Sequence, residues 1–317
     1  MTEVLLTGLD GKNPLGFLAA LGVINAVADH SKAVQSDPKL VWRSSGAYLP
    51  AIVDGPPAEA LLDVLVKDLA DFRGEPATLL RYPKKSEKGT SEAWDLKPSR
   101  ETFRGYLHSL VSACSRDHRR SVDVAAAFAT DVAVDRADRK TKPTALHFTA
   151  GNQEFLDTFG AVSETVTAED LREAVFGPWK RARDTKQFNW DNAGARDYAL
   201  RADDPSKAKK LGVPGADWLA FRGLSFVRVA PVGDRVVTTG CHGEWKTGAF
   251  RWPIWTVPLQ RTVIGSLLSS PEIFETDPRV LRGRGIAIVF ESAIRRSEQG
   301  GYGSFASASV ARPIDLR

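Results

Sequence analysis

The apolar residues of the N-terminal part recur in patterns that predict helices packed against short strands. Residues 4–6 form a short apolar run typical of a strand, and Asn13 followed by Pro14 marks a helix start, with Asn as the N-cap. The stretch 15–29 is apolar on nearly all sides, which predicts a helix buried on every face. After Pro57, apolar residues at helical spacing predict a second helix with one buried face: Leu61, Leu62, Leu65, Leu69 and Phe72.

The rest of the chain mixes both kinds of element in irregular order. Further helices are predicted over 101–115, over 122–132 and from a capping box at Thr167. Further strands are predicted over 40–42, 48–53, 144–149, 235–239 and 285–294, and 83–90 is predicted to be an exposed loop. This order predicts an α+β fold, with mixed helices and mainly antiparallel strands in one or two domains. We place an N-terminal α+β domain with basic loops at 1–165 and an aromatic-rich α+β domain at 166–317.

Composition places the chain among ordinary globular proteins, with 317 residues of which 43% are hydrophobic and 26% charged. Its two cysteines, Cys114 and Cys241, lie far apart, which favours a reducing compartment over a disulfide framework. The first residues lack the basic segment of a signal peptide, and the longest apolar stretch, 15–28, is shorter than the roughly 20 residues that a membrane span needs. We therefore expect a cytoplasmic protein without membrane contact.

Clusters of lysine and arginine in segments without periodicity are the main sign of function. The formal net charge of +4 permits a polyanionic partner but does not require one. Cationic loops can contact phosphates and release counterions, which makes affinity depend on salt, although any one cluster is also compatible with an ordinary solvated face. Further clusters occur over 180–186 and 279–296. Taken together the clusters favour polyanion binding, and the candidate nucleic-acid-binding residues are Lys84, Lys85, Lys88, Arg116, Arg119, Arg120, Arg136, Arg139, Lys140 and Lys142.

Patterns for catalysis, metals and cofactors are scarce. The five histidines are isolated and neither cysteine belongs to a C-x-x-C pair, so we predict no metal site. The glycine turn at 8–11 lacks the spacing of nucleotide-binding loops, so we predict no cofactor; backbone contact with a phosphate stays an alternative there. Asp203 and Asp204 are interpreted as an exposed turn rather than a nuclease centre. His147 shows no fixed partner in the sequence, and we expect it to be structural or to contact a partner, not to act as a general base.

Aromatic residues are concentrated in the C-terminal half, where Lys246 and Arg251 alternate with Trp245, Trp252 and Trp255. We interpret the segment 252–255 as part of the core. Exposed members of the group would instead offer flat surfaces on which nucleic-acid bases stack.

Four separated segments together resemble a known group of proteins. Their sequences are GLDGKNPLGFLAALG at 8–22, TALHFTAGNQEFL at 144–156, FNWD at 188–191 followed by RDYALR at 196–201, and FRWPIW at 250–255. The first resembles the opening of proteins encoded in type I-G (formerly I-U) CRISPR loci. Similar openings occur in their large-subunit-like components and in an accessory family described as an extension of the helicase-nuclease. The resemblance runs in order from about residue 4 to residue 305.

The resemblance implies membership of a guide-RNA-directed interference system and supplies no catalytic residue. We therefore expect a non-enzymatic subunit or accessory factor of a crRNA-guided complex in antiviral defence. Its expected partners are crRNA or target DNA and other CRISPR effector subunits, with the helicase-nuclease among the candidates. In such complexes base pairing with the guide reads sequence while protein contacts backbone and shape. Two alternatives stay open: a metal-dependent nuclease of the same system, and a structural adaptor without nucleic-acid contact.

Overall fold

The computed structural model of the chain describes residues 2–31, 37–86, 89–115, 119–149, 153–194, 211–275, 277–296 and 303–311. The predicted site residues Lys88 and Arg116, and the turn at Asp203 and Asp204, lie outside the described residues. Within these ranges, no helix is long and apolar enough to cross a membrane.

The first helix, α1, covers Pro14–Ser31 and begins where the sequence predicts it. The side chain of Asn13 accepts a hydrogen bond from the backbone N–H of Leu15 at 3.0 Å, as an N-cap residue does. Every residue from Pro14 to Val27 is buried, which confirms the prediction of a helix without a solvent face. The other helices are α2 (Ala58–Phe72), α3 (Arg100–Ala113), α4 (Arg120–Ala125), α5 (Phe155–Thr165), α6 (Ala168–Phe176), α7 (Pro214–Gly223), α8 (Arg261–Leu268), α9 (Glu272–Glu275) and α10 (Pro278–Gly283).

Within the described residues, most strands are short, and they form one four-stranded sheet, one five-stranded sheet and several two-stranded pairs. They are β1 (Glu3–Leu5), β2 (Lys39–Ser44), β3 (Tyr48–Val53), β4 (Tyr82–Ser86), β5 (Gly89–Ala93), β6 (Ala129–Val134), β7 (Thr141–Pro143), β8 (Arg183–Asp184), β9 (Leu211–Gly212), β10 (Val229–Val232), β11 (Arg235–Thr238), β12 (Cys241–His242), β13 (Ala249–Trp255), β14 (Leu259–Gln260), β15 (Ile286–Arg296), β16 (Gly303–Phe305) and β17 (Ser309–Val310).

The strand order of the first sheet is β1-β3-β2-β14, and that of the second is β12-β13-β15-β16 with β17 also paired to β15. Each strand pair in the described part of the chain is antiparallel. The α+β fold with mainly antiparallel strands is therefore confirmed.

The centre of the core is the crossing of α1 with α7, two helices that lie far apart in the chain. A Cβ atom built on Gly22 would lie 1.8 Å from the carbonyl oxygen of Leu219, and one built on Gly223 would lie 2.2 Å from that of Leu18. Glycine at both positions is what allows the two backbones to approach so closely. Buried residues of α1 and α7 belong to one hydrophobic cluster.

The aromatic strand β13 connects the second sheet to the start of α1. All seven of its residues are buried, as predicted for 252–255. The indole N–H of Trp252 donates to the carbonyl of Gly11 at 2.8 Å, and that of Trp255 donates to the carbonyl of Leu40 at 2.8 Å. The aromatic side chains are therefore part of the core, whereas Trp245 beside β13 is 44% exposed.

Three segments differ from the local prediction. Residues 144–149 form no strand; a turn occurs there, in which the backbone N–H of His147 donates to the carbonyl of Thr144 at 3.1 Å. The helix predicted over 122–132 ends at Ala125, and β6 occupies its second half. The predicted loop at 83–90 falls largely in the β4–β5 hairpin. In each case cross-strand or long-range pairing, which no local pattern displays, decides the conformation.

Candidate nucleic-acid interface

A cleft of about 320 Å³ opens beside the β4–β5 hairpin, the segment that joins β5 to α3, and the β6–β7 connection. Two of the predicted cations line it, Lys84 and Lys140, and a third lysine, Lys97, joins them. Three carboxylates share its wall: Asp95, Asp138 and Glu154. Lys84 and Lys140 are more than fifty residues apart in the sequence, and only the fold brings them to one cleft.

Backbone pairing holds two of the three lysine-bearing segments together. Lys140 forms an isolated antiparallel bridge with Ser99. The next residue, Thr141, donates its backbone N–H to the carbonyl of Pro98 at 2.9 Å and its hydroxyl to the carbonyl of Leu96 at 2.9 Å. The segment that contains Lys97 therefore lies directly beside Lys140, the residue that precedes β7.

Glu154 attaches the third segment. One of its carboxylate oxygens accepts the backbone N–H of Trp94 at 2.7 Å, and the other accepts the ammonium of Lys84 at 3.2 Å. Lys140 pairs in the same way with Asp138 at 2.9 Å, in its own turn. No ion pair within the described ranges involves Lys97, which makes it the cation of the cleft with the fewest competing partners.

The polar floor of the cleft is a bonded pair, His147 and Asp95. The Nε2 atom of His147 lies 2.7 Å from Asp95 Oδ1, which also accepts the backbone N–H of Phe155 at 3.1 Å. The imidazole stacks on the ring of Phe155 with centroids 5.7 Å apart. Asp95, which lies 52 positions away in the sequence, is thus the fixed partner of His147. The sequence alone does not reveal this partner.

The two members of this pair differ in charge. Burial lowers the pKa of His147 against the raising effect of Asp95, so the imidazole is neutral and donates its Nε2–H. Burial would raise the pKa of Asp95, but the imidazole and the backbone N–H of Phe155 outweigh it, and the pKa lies well below its ordinary range. Burial, together with the carboxylates of Asp95 and Glu154, raises the pKa of Tyr82 far above its ordinary value, so its phenol is neutral.

The geometry of the pair differs from that of a catalytic relay. In a Ser-His-Asp relay the acid and the nucleophile bind opposite nitrogens of the imidazole. Here the hydroxyl of Thr149 lies 3.0 Å from Nε2, the nitrogen that Asp95 already binds, and 3.4 Å from Nδ1. His147 is also only 2% exposed at its side chain. This arrangement suits a residue that holds Asp95 and the 144–149 turn in place.

Arg296, at the end of β15, fixes the backbone beneath His147. Its guanidinium donates to the carbonyl of His147 at 2.9 Å and to that of Ala145 at 2.7 Å. The same group stacks 3.6 Å above the ring of Trp245. Burial lowers the pKa of Arg296 to about 10, which leaves it cationic at neutral pH. Strand β15 of the second sheet therefore holds the backbone of the 144–149 turn, which carries His147, in place.

Two other predicted cations that the structure describes pair with carboxylates of the protein itself. Arg119 pairs with Asp123 at 2.8 Å, and Arg120 pairs with the buried carboxylate of Glu75 at 2.6 Å. The first contact lies within the α4 segment, and the second joins α4 to the segment that follows α2.

The β6–β7 connection carries cations outside the cleft as well. Arg136 pairs with the carboxylate of Asp234 at 2.7 Å, and Lys142 donates to the carbonyl of the same residue at 2.8 Å. Arg139 is exposed between them, and Lys85 lies in β4 opposite Thr90. Among the predicted cations that the structure describes, Lys84 and Lys140 line one cleft and the others lie outside it.

Sequence reasoning missed Asp95, Lys97 and Glu154. A usable signal was present at 94–98, where the charged residues Asp95 and Lys97 alternate with Trp94, Leu96 and Pro98. Asp95 and Lys97 are two positions apart in this segment, as two side chains on one face of an extended chain are.

Among the described residues, no group of three or more histidine, cysteine, aspartate or glutamate side chains is arranged to hold a metal ion. The carboxylates of the cleft are bound instead by backbone N–H groups, lysines and His147.

The described parts of the segments 8–22, 144–156, 188–191 and 250–255 contact one another. The indole of Trp252 bonds to Gly11, as above, and the side-chain amide of Asn13 donates to the carboxylate of Asp191 at 2.8 Å. The indole N–H of Trp190 donates to the carbonyl of Leu146 at 3.0 Å. Segments far apart in the sequence are therefore joined into one continuous framework beside the cleft.

Comparisons of the chain with protein families, with curated proteins and with solved structures found no match.

Proposed function

We propose that this protein is a non-enzymatic, nucleic-acid-binding component of a crRNA-guided CRISPR interference complex. In this proposal the cleft binds backbone phosphates of crRNA or target DNA, and other effector subunits, with the helicase-nuclease as one candidate, contact the rest of its surface. The CRISPR assignment rests on the four resembling segments. The binding assignment rests on the structure of the cleft.

The observation that carries the binding proposal is the convergence of Lys84, Lys97 and Lys140 from three separate segments. Lysine ammonium groups are point charges that bind phosphate oxygens. Three of them around a cleft of about 320 Å³ offer several phosphate contacts within one site.

The ion pairs in the cleft do not prevent phosphate from binding. The Lys84 and Lys140 side chains are 51% and 52% exposed, and exposed ion pairs contribute only about 0–1 kcal/mol. A phosphate can therefore replace the internal carboxylate at small cost. Lys97 has no ion pair to give up within the described residues, so we expect it to make the largest single contribution.

The state of the His147–Asp95 pair supports binding rather than catalysis. The neutral imidazole is buried and its Nε2–H is engaged by Asp95. The unprotonated nitrogen, Nδ1, lies 3.4 Å from the hydroxyl of Thr149, and the His147 side chain is only 2% exposed. A general base needs its unprotonated nitrogen within hydrogen-bond reach of the substrate proton.

The proposal is tested by the salt dependence of binding to a labelled single-stranded oligonucleotide. The triple variant Lys84→Gln, Lys97→Gln and Lys140→Gln should bind more weakly, and its log–log salt slope should be shallower by about 2, since each lost phosphate contact removes about 0.7. The matched control changes Lys12, Lys67 and Lys180 to Gln, which alters the net charge equally at lysines that do not line the cleft. An equal loss in both triples would mean that the cleft is not the binding site.

Two further results decide between the proposal and its alternatives. Absence of salt-dependent binding by the parent protein would favour a structural adaptor. Divalent-metal-dependent cleavage by the purified chain, abolished by a single Asp or Glu substitution, would favour a nuclease. The assembly role is tested by sequencing RNA that co-purifies with the native protein, where repeat–spacer transcripts are expected.

A further inference from the structure

We infer that the ligand of the cleft is single-stranded RNA, and that the carboxylates of Asp138 and Glu154 accept hydrogen bonds from ribose 2′-hydroxyl groups. This inference rests on the proposed function and deepens it, because it names the class of nucleic acid. The charges in the cleft are balanced, because three lysines and three carboxylates line it.

A balanced cleft is poorly suited to a ligand that offers phosphates alone. Ionised carboxylates beside a phosphate repel it, and close like charges weaken binding most where water is partly excluded. A DNA strand offers no sugar hydroxyl beside its phosphates. A ribose 2′-hydroxyl is a hydrogen-bond donor, and it is the group by which proteins distinguish RNA from DNA. With RNA, the same carboxylates become acceptors.

The two carboxylates are prepared for this role in different ways. Glu154 is held by the backbone N–H of Trp94 and by Lys84, and each of its oxygens keeps a second lone pair. Asp138 accepts the backbone N–H of Lys140 at 3.1 Å and is 49% exposed, which makes it the more accessible acceptor. Carboxylates bind ribose 2′-hydroxyls in the same way in dinucleotide-binding folds.

Each carboxylate lies next to a lysine of the cleft. Lys84 pairs with Glu154, and Lys140 pairs with Asp138. A nucleotide presents its phosphate and its 2′-hydroxyl at a similar short separation, so each pair matches one nucleotide of an RNA strand. The volume of about 320 Å³ is at the lower end of the range for ligand sites, which fits a nucleotide and not a duplex.

The experiment compares the affinities for an RNA and a DNA oligonucleotide of equivalent sequence, unstructured and single-stranded. We expect the parent protein to bind RNA about tenfold more tightly than DNA. Asp138→Asn removes the charged acceptor and keeps an oxygen for the backbone of Lys140. It should lower the RNA-to-DNA affinity ratio about fivefold, because the lost charge aids DNA binding while the 2′-hydroxyl loses its acceptor. Glu154→Gln should act in the same direction.

Asp63→Asn is the control, since Asp63 is exposed on α2 and does not line the cleft; it should leave the ratio unchanged. RNA substituted with 2′-deoxynucleotides tests the parent protein without any variant, and should bind like DNA. Equal affinity for RNA and DNA, with salt dependence through Lys97 intact, would overturn the RNA inference and leave the proposed function standing. A preference for RNA that both carboxylate variants preserve would also overturn it. Binding of neither oligonucleotide would instead refute the proposed function.

Discussion

At the α1–α7 crossing, Arg222 and Asp68 are each 1% exposed and their side chains lie 2.7 Å apart. At the cleft, Lys84 and Glu154 are 51% and 16% exposed and lie 3.2 Å apart. Both are ion pairs between distant segments, but only the second can exchange its partner with little loss. A buried charge that loses its partner cannot recover hydration, whereas an exposed one can. Burial, not the pairing itself, therefore separates a charge that stabilises the fold from one that is available for a ligand.

The largest effect is expected from breaking the buried pair. Arg222→Ala leaves Asp68 without its cation, and also removes the contact of Arg222 with Asp29 at 2.9 Å. We expect the free energy of unfolding to fall by about 3–5 kcal/mol, measured by urea denaturation. Lys84→Ala, the same kind of deletion at the exposed pair, should cost less than about 1 kcal/mol. Similar losses in the two variants would refute the distinction drawn from burial.

A smaller effect tests how closely the helices approach at the same crossing. Gly22→Ala would place a Cβ 1.8 Å from a backbone oxygen that cannot move alone, so we expect a loss of about 3 kcal/mol. Gly105→Ala in α3 is the matched control, because a Cβ there meets no atom within 4 Å. It should stabilise the protein by about 0.5–1 kcal/mol through helix propensity. A tolerated Gly22→Ala, judged by melting temperature, would mean that the crossing is looser than described.

The smallest effect per step of the measurement, here one pH unit, concerns Asp217, a buried acid near the crossing that pairs with no cation among the described residues. Burial, against a hydrogen bond from Phe188, raises the pKa of Asp217 to about 8. At Asp68, Arg222 together with His30 outweighs burial and lowers the pKa to about 2. Because the folded state holds the Asp217 proton more tightly than the unfolded state, stability should fall as the pH rises from about 4 to about 8. The slope from this group is about 1.4 kcal/mol per pH unit. Asp68 should have the opposite pH dependence, because its ionised form is favoured in the folded state. Its contribution to the free energy of unfolding should be lost as the pH falls from about 4 to about 2.

Asp217→Asn should remove that part of the slope, because asparagine resembles the protonated acid and keeps an oxygen for the N–H of Phe188 at 3.1 Å. Urea denaturation at pH 5, 6, 7 and 8 measures the effect, with the exposed Asp63→Asn as control. An unchanged slope in Asp217→Asn would show that the buried carboxyl does not titrate in this range.

Local patterns in the sequence predicted the secondary structure correctly wherever the residues that determine it lie close together in one segment. Asn13 followed by Pro14 predicts the start of α1, and the absence of a polar face predicts its complete burial. The amphipathic repeat before Phe72 predicts α2. These predictions hold because helix caps and helical periodicity involve residues within a few positions of one another.

Segments that pair across long distances were beyond such patterns. The 144–149 turn contains apolar residues typical of a strand, yet its conformation follows from contacts with Asp95, Trp190 and Arg296, each far away in the chain. The β4–β5 hairpin likewise has little local signal. No local pattern displays which distant groups will satisfy a buried carbonyl or imidazole.

For the candidate site, the sequence by itself determined that Lys84 and Lys140 lie in cationic, polar segments. Only the tertiary structure decided that these two join Lys97 at one cleft, and that Arg120 is bound by Glu75 instead. The reason is physical: a lysine or arginine is suited to several roles. Whether it binds a ligand or stabilises a helix depends on its burial and its nearest carboxylate, and both are set by how distant segments pack.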